Sequence, residues 1–220
     1  MPHISFQSRS RMSAYGIVFV CFAGISLAQT DAPVKQQTPE LLPVEKEIAM
    51  ALGAGPEHLR ADASVYVLGK DGFVLARQGT NGFVCIVNRD HPLNQKPTCY
   101  DPEGAATILP KVLRVGELLM KGVPLEQIKA EIAEGFRTGK FISPRRPGVA
   151  YMLSGDIRNY NPATKRIESF PPHVMFYAPN LTNEDIGSNG KFEPGLPSIA
   201  YQGPQGFMIV VLGDSRHSAH

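Results

Sequence analysis

The chain has no H-x-H, H-E-x-x-H or EF-hand spacing, no G-x-S-x-G elbow and no Cys-x-x-Cys. The short signatures of zinc hydrolases, calcium loops, serine hydrolases and paired-thiolate metal sites are therefore missing. An excess of charge is missing too. The 22 Lys+Arg face 20 Asp+Glu, and Arg9 and Arg11 lie in an N-terminal stretch without acids, so the remainder balances at 20 against 20. That balance excludes a basic surface for nucleic acid or an anionic membrane at the level of net charge, whatever the pI of 8.4 suggests. There is no internal repeat, and the apolar run Ile17–Leu27 is too short to span a bilayer comfortably.

That run instead completes a leader. Arg9 and Arg11 supply the positive region, and Ser26-Leu27-Ala28 places small residues at the −3 and −1 positions of a cleavage site. Residues 1–28 read as a secretory signal peptide, so the protein is expected to be secreted or periplasmic, beginning at Gln29, with no membrane segment after cleavage. Of the three cysteines, Cys21 leaves with the leader. Cys85 and Cys99 remain, an even pair in an exported chain, and are expected to form a disulfide closing a loop of about 15 residues.

The rest of the chain is organised around Asn81–Tyr100. Phe83–Val87 is apolar on both faces and reads as a buried strand. It ends in the polar cluster Asn88-Arg89-Asp90-His91, and a Pro-rich loop then returns to Cys99. Before it, residues 29–42 read as a flexible lead-in and Pro43 opens a helix with Glu45 and Glu47 in its first turn. The strands Ser64–Leu68, Phe73–Arg77 and Phe83–Val87 follow as an expected antiparallel meander, with Asp71-Gly72 and Asn81-Gly82 in the turns. His58 falls in a loop.

Asp101 can cap a helix opened by Pro102 and interrupted at Pro110, with Ile108, Val112, Val115 and Leu119 forming its apolar stripe. Gly122 ends it. A second helix runs from Pro124 to Gly139 on Leu125, Ile128, Ile132 and Phe136. Three more strands are expected at Val149–Leu153, Val174–Tyr177 and Phe207–Leu212. Phe170-Pro171-Pro172 reads as a cis-proline site and Thr182-x-x-Asp185 as a helix start. The pattern implies an α+β fold: a mostly antiparallel five- to six-stranded sheet with helices packed on one face, one domain over residues 43–215, and a tail at 216–220.

Local motifs carry little chemistry. Gly213-Asp214-Ser215 after a strand looks like the nucleophile block of the GDSL esterases. In that family the strand comes first and its partner segments follow, whereas here the strand follows every other element. His173-x-Met175 puts imidazole and thioether on one strand face, but a strand-end histidine beside a core methionine explains the same letters. His217, His220 and the sequon Asn180-Leu181-Thr182 add no chemistry. No metal or cofactor is expected.

The remaining candidates are positional. Arg89, Asp90 and His91 leave one buried strand, Arg145 and Arg146 precede another, and His173 opens a third. Strand ends can hold polar groups around one cleft, and Arg with His suits a carboxylate or phosphate. These residues are expected to bind a small anionic molecule, with Arg89, His91, Arg145, Arg146 and His173 as ligands. The alternatives are a hydrolase or lyase using His91 or His173, with Asp90 as a further candidate, as acid/base and Arg145 or Arg146 to stabilise negative charge, and a protein–protein interaction module of the cell envelope.

Three blocks add a resemblance: Thr80-Asn81-Gly82-Phe83-x-Cys85, Arg146-Pro147-Gly148-Val149-x-Tyr151-Met152-Leu153-Ser154, and Phe170-Pro171-Pro172-His173-x-Met175-Phe176-Tyr177-Ala178-Pro179. They resemble a group of secreted bacterial proteins of unknown function. The resemblance covers most of the chain after the leader and implies export and a single shared domain. It carries no activity, ligand or catalytic residue.

Overall fold

The two strands at the centre of the molecule are β3 (Val84–Asn88) and β4 (Lys96–Tyr100), paired antiparallel with Cys85 opposite Cys99. The structure is a computed structural model that describes residues 37–213. The leader, its cleavage site, the nucleophile-like Ser215 and the C-terminal histidines lie outside the described residues. The Sγ atoms of Cys85 and Cys99 stand at disulfide distance. Cys85, Ile86 and Val87 are all buried, as two apolar faces require.

Strand β4 occupies what Pro92 and Pro97, between His91 and Cys99, suggested was loop. Its residue Pro97 is compatible with a central strand for a geometric reason. The Cα atoms of Cys85 and Cys99 are 4.0 Å apart, the close spacing of a non-hydrogen-bonded pair. Val87 and Pro97, two residues on, form the same kind of pair, so the Pro97 nitrogen points away from β3. On that side β5 (Val149–Met152) pairs only with Cys99 and Tyr100, and the next contact is the isolated bridge from Gln95 to Arg158. Proline falls in the gap, where a missing N–H costs no ladder bond.

The sheet has eight strands, not five or six, and is mixed. Its order is β2-β1-β3-β4-β5-β8-β10-β9, with β1 at Ser64–Gly69, β2 at Gly72–Arg77, β8 at His173–Tyr177, β9 at Pro197–Tyr201 and β10 at Phe207–Val211. The expected meander fails at one step. β1 and β2 form the hairpin, but β3 joins the other side of β1, parallel to it. Gly79 makes the crossing possible. A Cβ there would overlap the Asp62–Ser64 backbone, and the loop is tied down by Thr80 N–H donating to Asp62 O (2.8 Å) and Gly79 N–H donating to Ser64 Oγ (2.9 Å). A short hairpin of β6 (Asn159–Asn161) and β7 (Arg166–Glu168) stands apart from the main sheet.

Helices cover both faces rather than one. α1 (Val44–Gly53) lies against β1, β3 and β4, packing Ala51 onto Val65, Val67, Cys85 and Val87. The one-turn α2 (Glu57–Arg60) follows and carries the exposed His58. On the opposite face α3 (Pro102–Thr107) and α4 (Leu109–Met120), split at Pro110, bring Ile108, Leu109 and Val112 onto Ile86, Tyr100, Met175 and Ile209. α5 (Leu125–Arg137) closes over Leu118 and Leu119 through Ile128. Gly122 and Gly139, at φ +68 and +76, end α4 and α5 as expected. Of the lead-in, Pro39 and Leu42 are buried.

Asp101 ties the second half together. One carboxylate oxygen accepts from Gly104 N–H (2.8 Å), capping α3, and from the Tyr177 hydroxyl (2.7 Å); the other accepts from Val149 N–H (2.9 Å). One side chain thus fixes a helix start and two strands. Beyond α1, the same sheet face carries Val149, Phe176 and Met208 in one row and Tyr151, Val174 and Val210 in the next. Phe176 is 41 % exposed. Two local expectations fail. No cis peptide bond occurs among the described residues, Phe170–Pro172 included. Thr182 and Asp185 form the reciprocal capping bonds expected of them, but no helix follows.

The bonded pair yields a measurable expectation. Intact mass under non-reducing conditions should show no free thiol at Cys85 or Cys99. Replacing both with alanine should lower stability by about 3 kcal/mol, the chain-entropy value for a loop of about 15 residues. Two alkylatable thiols in exported protein would contradict the pairing.

Candidate functional site

Strand alternation sends the residues after β3 in opposite directions. Val87 faces α1, so Arg89 does as well. Asn88 faces the α3–α4 side, and so does Asp90. Arg89 is completely buried and pairs with the equally buried Glu47 of α1 at 3.3 Å, its other nitrogen donating to Val87 O at 3.0 Å. Burial pushes both groups towards their neutral forms, each opposed by its partner's charge. One Glu47 oxygen has no hydrogen-bond partner. With about 1 % side-chain exposure on each partner, this pair has no surface to offer a ligand.

Arg145 and Arg146 stand at the other end of the sheet. β4 runs from Lys96, beside Asn88, to Tyr100, beside Val84, and the Arg145–Gly148 loop meets the Tyr100 end. Both arginines are exposed. Glu103 in the first turn of α3 accepts from Arg145 N–H (2.6 Å) and Arg146 Nε (3.1 Å). The expected convergence of the two arginine-bearing loops therefore does not occur. His91 leaves the group as well. Its ring stacks on Tyr160 with centroids 4.4 Å apart, and its Nδ1 accepts from Leu93 N–H.

Asp90 and His173 do meet other polar groups at the Asn88 end, on the α3–α4 face. Lys96 Nζ ion-pairs with Asp90, and Asn94 Nδ2 donates to the same carboxylate at 2.6 Å. Lys96 Nζ also lies 3.5 Å from the Tyr201 hydroxyl. β4 and β9 are four strands apart, about 19 Å in a flat sheet, so this contact requires the sheet to twist and curl around the α3–α4 face. Burial pushes the Tyr100 hydroxyl well above the usual tyrosine value. The cluster reaches solvent beside Asp90, 41 % exposed at its side chain, and Tyr201, 51 % exposed.

The charges do not cancel. Burial would raise the Asp90 carboxyl, but Lys96 and Asn94 hold it below the usual range. Burial also works against the Lys96 ammonium, and Asp90 and Tyr201 more than offset it. A second lysine, Lys111 near the start of α4, is close enough to feel both charges and is pulled down to about 8, chiefly by burial and further by Lys96. It makes no hydrogen bond or ion pair among the described residues. His173 is 3 % exposed, and its Nδ1 sits 2.8 Å from Pro171 O, the geometry of an N–H donor. Burial lowers its pKa, and the nearby Lys96 lowers it further. Neither His91 nor His173 bonds a carboxylate through its ring among the described residues.

Lys96, Lys111, Tyr100 and Tyr201 were not among the residues expected from the sequence. Lys96 was hidden by the loop reading of β4. Lys111 did leave a signal: with Ile108 and Val112 it falls at i, i+3, i+4, a charge inside an apolar stripe. No group of His, Cys, Asp and Glu able to hold a metal occurs among the described residues, and no helix there is long and apolar enough to cross a membrane. No protein-family model, curated protein or solved structure matches this chain.

Two measurements separate the structural groups from the rest. Arg89→Ala should cost about 3–5 kcal/mol, the penalty for leaving one buried charge unpaired, with no ligand-dependent component. Stability should also fall as pH drops below about 6.5. The folded-state pKa values of His173 and His91 are depressed, so their stabilising contribution is present above the unfolded value and is lost on acidification. His173→Asn should flatten urea-derived stability between about pH 6.5 and 5. An unchanged slope would show that His173 does not titrate in that window.

Proposed function

We propose that this protein is exported and binds a small anionic molecule at the sheet end that carries Asp90, Lys96, Lys111 and His173. The observation that supports the reading is Lys111. Lys111 feels the charges of Asp90 and Lys96, and only Lys96 ion-pairs with that carboxylate. A half-buried ammonium without a partner destabilises the empty fold, and a bound carboxylate or phosphate would supply the missing charge. Tyr201 and the Nε2 of His173, which has no partner among the described residues, add polar groups around the same place. The disulfide-distance cysteines fit an oxidising compartment.

This reading keeps the expected anionic ligand but exchanges the arginines for lysines. A hydrolase or lyase reading has less support, since no histidine–carboxylate pair is formed among the described residues. The interaction-module reading is favoured by one observation, the apolar residues Val149, Phe176, Met208, Val174 and Val210 on the sheet face beyond α1, where Phe176 is 41 % exposed. Native-state binding of an apolar dye, lost in Phe176→Asp, is its direct readout.

The test of the anion site is thermal stabilisation by inorganic phosphate and by small di- and tricarboxylates. Wild type should gain melting temperature with ligand concentration. Lys111→Met should melt at the same or a higher temperature without ligand and lose the anion-induced shift. Anion binding should also weaken as pH rises through about 8, where Lys111 gives up its proton. A Lys111→Met variant that keeps the full shift would overturn the proposal.

A further inference from the structure

The two edges of the sheet are treated differently. β9 opens with Pro197, is irregular opposite Phe207 and Met208, and has its outer side occupied. There the Asn183 amide donates to Ile199 O (3.2 Å) and accepts from Ile199 N–H (2.7 Å), as a neighbouring strand would. Proline, irregularity and a covering loop are the usual protections of an edge. β2 has neither proline nor a covering loop among the described residues, and its one irregularity, at Ala76 between Leu75 and Arg77, lies beyond the Phe73–Leu75 segment. Its sequence, Gly72-Phe73-Val74-Leu75-Ala76-Arg77, carries no proline or lysine, and Val74 and Leu75 are 53 % and 45 % exposed.

The hairpin register identifies the free groups. Gly69 and Gly72 close the two-residue turn, so Val67 and Val74 exchange hydrogen bonds, while Phe73 and Leu75 sit at non-hydrogen-bonded positions. The N–H and C=O of Phe73 and Leu75 therefore point outward, and neither bonds to anything among the described residues. Beside this edge lies a groove of about 340 Å³ between β2 and α4, with Phe73, Pro110 and Leu113 as its apolar lining and Arg114 and Glu117 at its rim.

We infer that the β2 edge pairs with the β2 edge of a second copy of this chain, antiparallel about a two-fold axis at Val74. The strand is complementary to itself in this register. Phe73 of one copy faces Leu75 of the other, both with outward groups, so the pair closes four backbone hydrogen bonds. Phe73 and Leu75 project on the α4 side of the sheet, opposite the side of Val74. The second copy's Leu75 thus lands beside Phe73, at the groove, and each copy supplies one leucine and one groove. A foreign strand could take the same bonds, but it would have to bring that leucine with it. Charge does not oppose the pairing, since the whole chain carries only +2. The contact is small, so the dimer belongs to the weak, concentration-dependent class.

Sedimentation velocity on the full chain, taken to roughly millimolar concentration to cover weak association, should show a reversible monomer–dimer equilibrium. Val74→Lys places two ammonium groups against each other at the axis and should weaken it at least tenfold. Leu75→Pro removes an outward donor and no β1–β2 bond, and should have the same effect with the monomer fold intact by circular dichroism. Val74→Cys should form a disulfide-linked dimer on mild oxidation, because the two Cα atoms meet at the close spacing of about 4.5 Å. Phe176→Cys, on the apolar sheet face, should not. A wild-type chain that stays monomeric throughout would overturn the inference. So would a dimer indifferent to both Val74→Lys and Leu75→Pro, or one cross-linked through residue 176 rather than 74.

Discussion

Everything in this fold hangs on a pair of strands that has protein on both sides. β3 and β4 take helix α1 on one face and α3–α4 on the other, and β1 and β5 on their edges. A strand in that position cannot leave a polar group unassigned, because water reaches neither face. The consequence is sharpest where the strand ends. Alternation sends Arg89 into the α1 layer, where Glu47 pairs with it, and Asp90 into the α3–α4 layer, where Lys96 does so. Two neighbouring charges that might have paired with each other serve separate halves of the molecule. The disulfide-distance pair at Cys85 and Cys99 reinforces the same two strands.

These two ion pairs have different meanings. Arg89 and Glu47 are closed off, and the desolvation of both groups is offset mainly by their mutual attraction. Such a pair is strongly damaging to break and has no free valence for a ligand. The Lys96–Asp90 pair is open on one side and has Lys111 beside it with no carboxylate of its own. Buried charge in excess of its counter-charge is costly to the empty fold, and such positions recur at binding and catalytic sites. His173, held neutral by burial, lets the cluster avoid a third positive charge at pH 7.

The sheet's curl links the ends of this argument. Lys96 and Tyr201 lie on strands four apart and touch only because the sheet wraps towards the α3–α4 face. Helices α1, α3 and α4 cover the β2–β4 side, while β8, β10 and β9 present an apolar outer face without a helix. The molecule is thus finished on one half and open on the other, and its protected edge belongs to the open half.

Much of this was legible in the residues one by one. The buried strand at Val84–Val87, the Asp101 cap, the Pro110 break, the Gly122 and Gly139 stops and the β1–β2 turn all follow from local rules, because each depends on backbone freedom or periodicity within a few residues. Cys85 and Cys99 could be paired by elimination, and an α+β chain could be recognised from its order of elements. What the sequence could not determine is decided by partners distant along the chain. Pro97 is admissible in β4 only because β5 leaves a gap beside it. β3 runs parallel to β1 only because Gly79 can press against the Asp62–Ser64 backbone. Arg89 and Lys111 are two basic residues to any reading of composition, yet one is sealed against Glu47 and the other has no ion-pair partner among the described residues. Which residues carry charge can be read residue by residue; which charges are compensated is set by the fold, because compensation is a matter of distance and burial.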